Sequence, residues 1–153
     1  MKPLQTKLAM LSFMAIVMGA ALPAQADYAQ HRLSVGAGIV HLTYPSETDF
    51  ALSAEYEYRF TPMFGAGVLG SYIFSSSGIA MLGAPVFFHP FSGDLLFLAA
   101  PIVEFGSGIT TQAGVRLGTR VPLPLGVLTL IPSFAIDFIA GGRDYIFGLG
   151  IQI

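Results

Sequence analysis

His31, His41 and His89 are the residues of this chain most able to exchange a proton near neutral pH. His41 is followed within six positions by Thr43, Ser46 and Glu47. A hydroxyl becomes a nucleophile when an imidazole takes its proton and a carboxylate orients that imidazole. His41, Ser46 and Glu47, with Thr43 as an alternative hydroxyl, are therefore the candidate set for acyl-transfer chemistry. No H-x-x-x-H pattern or carboxylate-flanked histidine is present and cysteine is absent, so neither a metal centre nor another cofactor is expected. Gly36-Ala37-Gly38 imitates part of a phosphate loop, but no helix pattern follows it.

A second set of reactive side chains is spread along the chain: Glu55, Glu57, Arg59, Glu104, Arg116, Arg120 and Asp137. The first three belong to the run EYEYRF, residues 55–60, in which charges and rings alternate. A period of two puts the charges on one face of a strand and the rings on the other. The same contrast recurs. Thr111, Ala113, Val115, Leu117, Thr119 and Val121 oppose Gln112, Gly114, Arg116, Gly118 and Arg120. Leu128, Leu130, Phe134, Ile136 and Phe138 oppose Thr129, Ser133 and Asp137. Tyr145, Phe147, Leu149, Ile151 and Ile153 oppose Gly148, Gly150 and Gln152. One face is large and apolar; the other is small or charged.

Composition says which solvent the large face meets. The chain of 153 residues is 54% hydrophobic and 10% charged, against roughly 25% charged in ordinary soluble domains. Lys2 and Lys7 precede an apolar run from Leu8 to Leu22, and Ala24-Gln25-Ala26 forms a small-residue cleavage site. Residues 1–26 are expected to be a cleavable secretory signal peptide and 27–153 one exported domain. Cleavage removes both lysines from a chain of formal net charge −2, so a nucleic-acid surface is not expected. Without cysteine an exported domain relies on burial and backbone pairing.

Eight runs of about ten residues fit tilted membrane-spanning strands: 32–42, 50–60, 64–74, 79–88, 95–105, 111–121, 127–138 and 145–153. Turn-forming pieces separate them: TYPSETD, TPM, SSSG, HPFSGD, GSGIT, PLPLG and IAGGRD. An apolar face turned to lipid requires closure, because an open edge there leaves backbone groups unpaired at several kcal/mol each. The expected fold is all-β: a closed eight-stranded antiparallel up-and-down transmembrane β-barrel. Eight strands enclose a space that side chains just fill, so the acids are expected to face Arg59, Arg116 and Arg120 inside a plugged lumen. Lumenal glycines are expected to make room for the arginines.

The chain resembles the small eight-stranded outer-membrane barrels of the OmpA transmembrane-domain and OmpX type. The resemblance rests on the signal peptide, the eight alternating strands, inward Glu/Arg pairs such as Glu55 and Arg116, and the ending YIFGLGIQI. It implies an outer-membrane location in a Gram-negative bacterium and insertion by the barrel-assembly machinery. It also implies contact with outer-membrane lipid and lipopolysaccharide. Members end in an aromatic residue with Gly five positions earlier; Gly148 fits and Ile153 departs. Some eight-stranded barrels modify lipid A with a Ser/His pair at the outer rim, but their His-x-Ser-Asn motif is replaced here by His41-Leu42-Thr43-Tyr44.

With both termini periplasmic, 43–49, 75–78, 106–110 and 139–144 become short external connections. Phe50, Tyr72, Phe74, Phe105 and Tyr145 then form the outer aromatic girdle, and Tyr58, Phe60 and Phe64 the inner one. His89 falls in a periplasmic turn and reads as solvated or interfacial. Pro85, Pro101 and Pro132 interrupt predicted strands and call for a bulge or break at each. The runs around Pro85 and Pro101 also alternate poorly. Val121 to Ala140 is long and apolar enough for a membrane helix, although Asp137 lies within it; a soluble β-sandwich is a further alternative. The functional expectation is a monomeric, non-catalytic barrel with a structural or envelope-related role. A lipid A-modifying enzyme or a narrow channel are the alternatives.

Overall fold

The computed structural model describes residues 29–43, 46–90, 95–107, 109–139 and 142–152. The expected signal peptide, Ile153 and Gly93 of the predicted 89–94 turn lie outside them. Wherever two faces differ the backbone is extended: β1 (His31–Thr43), β2 (Ser46–Arg59), β3 (Phe64–Ile73), β4 (Ile79–Gly83), β5 (Val86–Phe88), β6 (Leu96–Gly106), β7 (Ile109–Arg120), β8 (Leu123–Leu125), β9 (Leu128–Ile139) and β10 (Gly142–Gln152). Every pairing is antiparallel, and β10 pairs with both β9 and β1, which closes the sheet. No described helix is long and apolar enough to cross a membrane. The stretch expected as a possible helix, 121–140, is strand over most of its length.

Ten segments make eight staves, because two staves are each written as two pieces. On β3, Leu69 faces Gly83 and Ala66 faces Val86 in one unbroken register. On β6, Ile102 faces Gly83 and Ala99 faces Val86, again without slippage. Segments β4 and β5 are therefore one stave interrupted at Ala84-Pro85. Likewise Arg120 faces Ser133 and Leu123 faces Leu130, so β7 and β8 form one stave.

Of the bulge or break expected at each proline, a break occurs at Pro85, where the stave is interrupted between Gly83 and Val86. Pro101 and Pro132 stay within β6 and β9, and none of the three shifts the register. Each sits in a pair where its carbonyl accepts a hydrogen bond and its ring nitrogen donates none. Ala84 N donates to Pro101 O (3.1 Å), Gly67 N to Pro85 O (3.0 Å) and Val121 N to Pro132 O (3.1 Å). Half of each pair survives and register is kept. The irregularity that does occur lies between Glu104 and Gly106, opposite Gln112 and Ile109.

Several connections are tighter than the turn chemistry alone suggests. Pairing continues to Thr43 and Ser46, Gly106 and Ile109, and Ile139 and Gly142. In PLPLG, Leu123–Leu125 extend a strand and the reversal moves to Gly126, whose φ of 66° suits a residue without Cβ.

Outside, the wall is apolar: Val35, Ile39, Leu52, Val115, Leu117, Phe147 and Leu149 are all exposed. Phe50 packs on Phe74, and Phe74 on Tyr72, near one end (centroids 5.8 and 4.9 Å). Phe64 stacks on Phe88 and His31 on Tyr58 near the other (5.2 and 5.3 Å). Phe50 and Phe60 stand ten residues apart on one face, about 33 Å of strand. At a tilt of roughly 40° that is about 25 Å, the height of a membrane barrel's apolar band.

Inside, the poor alternation of the fourth and fifth predicted strands finds its cause. Leu96, Leu98, Ala100 and Ile102 of β6 point into a cluster with Leu69, Met81, Phe87 and Ile139, while Phe97 and Val103 point outward. A strand with lipid on one side and a packed core on the other has no polar face to show. A second cluster, Val40, Leu42, Ala51, Ile73 and Ile79, fills the end near the β1–β2 connection.

Leu117 on the outer wall and its neighbour Arg116 inside give a direct test of this sorting. Leu117→Arg is expected to lower unfolding stability in lipid vesicles by about 2–4 kcal/mol, read as a shift of the urea midpoint. An unchanged midpoint would show that Leu117 does not face hydrocarbon.

Candidate functional site

The lumenal ions are set by the staves that carry them. Arg116 and Asp137 are direct cross-strand neighbours of β7 and β9. They form a two-point fork, Nε to Oδ1 and Nη2 to Oδ2, each 2.7 Å. The fork is the arrangement that makes an Arg–carboxylate pair strong, and both residues are nearly sealed from solvent, at 7% and 1% exposure. Nη2 of Arg116 also reaches Met81 Sδ at 3.1 Å, across the intervening β6.

Arg120 and Glu55 make the second fork, Nη1 to Oε1 and Nη2 to Oε2. Here β2 and β7 stand on opposite sides of the eight-stave ring, so the pair is a strut through the interior. The expected Glu55–Arg116 pair is not formed. Cross-strand register commits Arg116 to Asp137, and Arg120 on the same face of β7 is left to cross the lumen.

His89 is the larger correction. It does not sit in a solvated turn; it is fully buried, continues the inward face of β5, and its Nε2 bonds Glu57 Oε1 at 2.6 Å. Glu57 lies on β2 and His89 follows β5, with β3 between them. The bond is possible because β3 offers Gly65 there: a Cβ at Gly65 would strike Glu57 Oε1. That glycine makes room for a carboxylate, not for an arginine as expected. At Gly38 and Gly67 an added Cβ would instead meet backbone carbonyls of the next stave, Phe147 O and Tyr56 O; those glycines allow strands to approach closely. The signal for His89 was in the sequence: it is four residues beyond the inward Pro85, in phase with Phe87.

Arg59 is buried beside this pair and donates to the carbonyl of Pro62. Glu104 is buried toward the opposite end, between Met81 on one neighbour and Gln112 on the other. The structure thus gathers Glu55, Glu57, Arg59, Glu104, Arg116 and Asp137 in the interior, with Arg120 partly buried at its edge.

The candidate acyl-transfer set is not brought together. His41 Nδ1 bonds Thr48 Oγ1 at 2.9 Å, on the outer wall. Ser46 shares that outer face by alternation, but Glu47 falls on the inner one, opposite Leu42. A sheet lies between the imidazole and the carboxylate meant to orient it. Among the described residues no group of three or more His, Asp or Glu could hold a metal ion.

Between the struts and the glycine-rich staves β1 and β10 lies a cavity of about 80 Å3, with Ser34, Ser53, Ser133, Glu55 and Arg120 on part of its lining and Leu69, Ile73, Leu98 and Ile131 on the rest. That is room for on the order of five water molecules beside polar partners. The apolar clusters occupy the rest of the interior.

No protein-family model matches the chain, and no curated protein matches it. Solved structures do match in fold. The Neisserial surface protein A superposes with a TM-score of 0.58 at 11% identity, covering 82% of this chain and 97% of that one. The N-terminal β-barrel domain of Pseudomonas aeruginosa OprF gives 0.57 at 10% identity, covering 82% and 98%. A de novo designed transmembrane β-barrel gives 0.57 at 14% identity, covering 84% and 100%. The fold is that of the small eight-stranded outer-membrane β-barrels.

The buried fork supplies a stability test. Asp137→Ala leaves the Arg116 guanidinium without its acceptors and is expected to cost about 3–5 kcal/mol, measured by urea unfolding in vesicles. Arg116→Met combined with Asp137→Val is expected to recover most of that loss, because the charge and its partner leave together. Gly65→Ala, which drives Glu57 from His89, is expected to cost about 1–3 kcal/mol.

Proposed function

We propose that this chain is an integral protein of a Gram-negative outer membrane, a monomeric and non-catalytic barrel with a structural or envelope-related role. One observation carries the reading: acids and bases bond each other inside the wall, while its outer surface between two aromatic bands is apolar. Such a molecule stabilises itself and presents lipid with an apolar wall. Its small connections leave little area for catalysis or for a large partner. An even number of staves brings both ends to one rim, and export of residues 27–153 assigns that rim to the periplasm. Assembly through the barrel-insertion machinery fits the alternating last strand. That a designed barrel shares the fold supports treating the architecture as carrying no activity of its own.

A narrow channel is the second reading, favoured by the cavity beside Glu55 and Arg120. The two forks and the apolar clusters oppose it, since an ion would have to displace bonded charges in a low-dielectric interior.

The deciding experiment combines detergent-gel mobility before and after boiling, far-ultraviolet circular dichroism, and planar-bilayer conductance of the refolded protein. The expected result is a heat-modifiable band, a β spectrum and no unitary conductance. A helical spectrum would remove the barrel; discrete openings abolished by enlarging Ser53 (Ser53→Phe) would establish the channel.

A further inference from the structure

Of the five arginines in the chain, Arg32, Arg59, Arg116 and Arg120 stand on the lumenal face, and Arg143 stands on the outer one. A cation on the lipid side of a barrel is tolerated only near the interface, where the cost falls toward zero. Arg143 is near the start of β10, exposed, with its guanidinium 6.0 Å from the centre of the Phe138 ring. No described carboxylate lies within ion-pair distance of it. Its backbone nitrogen donates to Thr43 Oγ1 at 3.1 Å, which joins β10 to β1 at the rim.

One step below, and in register across the same wall, stand Tyr145, His41 and Thr48. His41 uses Nδ1 on Thr48, which leaves Nε2 uncommitted. A cation, an imidazole and two hydroxyls thus form a polar shelf on the outer face.

Directly beneath the shelf the wall is indented. Ala37 pairs with Leu149 and Ile39 with Phe147 across the β1–β10 seam, and Phe50 faces Ile39 from β2. The small Ala37 between these larger side chains makes a shallow open groove. Its walls, Ile39, Phe50, Phe147 and Leu149, are each about half exposed. The groove and the shelf are separate features, and they are stacked in the order of a lipid's tail and headgroup.

We propose that the β1–β10 seam binds a phosphate-bearing lipid, whose phosphate meets Arg143 and His41 while one acyl chain lies in the groove over Ala37. The site rests on the reading of this wall as membrane-spanning. Charge complementarity selects the occupant: an unpaired guanidinium at the membrane surface meets lipid headgroups, and a phosphate accepts its forked donors. The site also covers the closing seam with an acyl chain.

The test uses the full barrel in mixed detergent micelles with phosphatidic acid or with diacylglycerol of the same chains. Retained lipid is counted by native mass spectrometry. The unsubstituted protein is expected to retain phosphatidic acid about fivefold better than diacylglycerol, the effect of one cation at a membrane surface. Arg143→Gln is expected to remove that preference. Ala37→Phe, which fills the groove, is expected to lower retention of both lipids about threefold, and Leu149→Ala, which removes a wall, serves if the first variant fails to fold. Ala99→Phe, on the outer wall of β6, is expected to change nothing. Equal retention of the two lipids by the unsubstituted protein, indifference to Arg143→Gln, or inorganic phosphate competing as well as the lipid would each overturn the site. Mobility of the unboiled protein separates the two levels: a compact band with no lipid preference sinks the site alone, whereas no compact band sinks the membrane reading as well.

Discussion

A polypeptide in hydrocarbon has no water to hydrogen-bond its backbone, and each amide left unpaired there costs several kcal/mol. The rest of this molecule follows from meeting that requirement with strands. β1 and β10, the first and last staves, must find each other, and their register from Ser34–Gln152 to His41–Tyr145 is how they do so. Glycines recur in this closing seam, at 36, 38, 148 and 150, where the two backbones run close together. The three prolines are tolerated because each forfeits one donor while its carbonyl stays paired and register is unbroken. Losing single bonds is bearable; slipping one residue would turn every side chain of a stave to the wrong side.

Closure then creates an interior, and that interior is of two kinds. The side built from β4 and β6 packs like the core of a soluble protein, with Met81, Phe87, Leu98 and Ile102 in contact. The side near β1, β2, β9 and β10 is lined by small and hydroxyl side chains and keeps a cavity. Two arginine–carboxylate forks and one histidine–glutamate bond tie the two sides together. Buried ions are stabilising only when fully bonded, and one of these bonds depends on a gap: Gly65 lets Glu57 reach His89. Gly65 acts as a window through which polar side chains from non-adjacent staves meet.

Much of this was legible in the chain. The period-two contrast in 50–60, 111–121 and 127–138 gave strands and their faces, because alternation survives whenever one side meets lipid and the other a polar interior. It failed for 79–88 and 95–105, where both surroundings are apolar and the pattern carries no phase. HPFSGD reads locally as a turn, whereas the place of His89 is decided by the inward phase of Phe87 ahead of it. The connections 43–49, 106–110 and 139–144 are shorter than their residue types suggest. Thr43 and Ser46 read as turn residues by type, yet they pair with each other as the last rung of the β1–β2 ladder.

Residue order alone determined the class of solvent, the closed barrel and, in the strands that alternate, the division of side chains between wall and lumen, since these depend only on local alternation and on the energetic cost of an unpaired backbone. Which ions bond, and which polar residues gather outside, was decided by the tertiary structure. Glu55 and Arg120 lie 65 positions apart, and nothing between them in sequence says that their staves stand opposite. Arg143, His41 and the groove over Ala37 likewise share a surface only because the last stave closes against the first. Contacts of that kind depend on stagger around a ring, a property of the whole sheet that no single segment encodes.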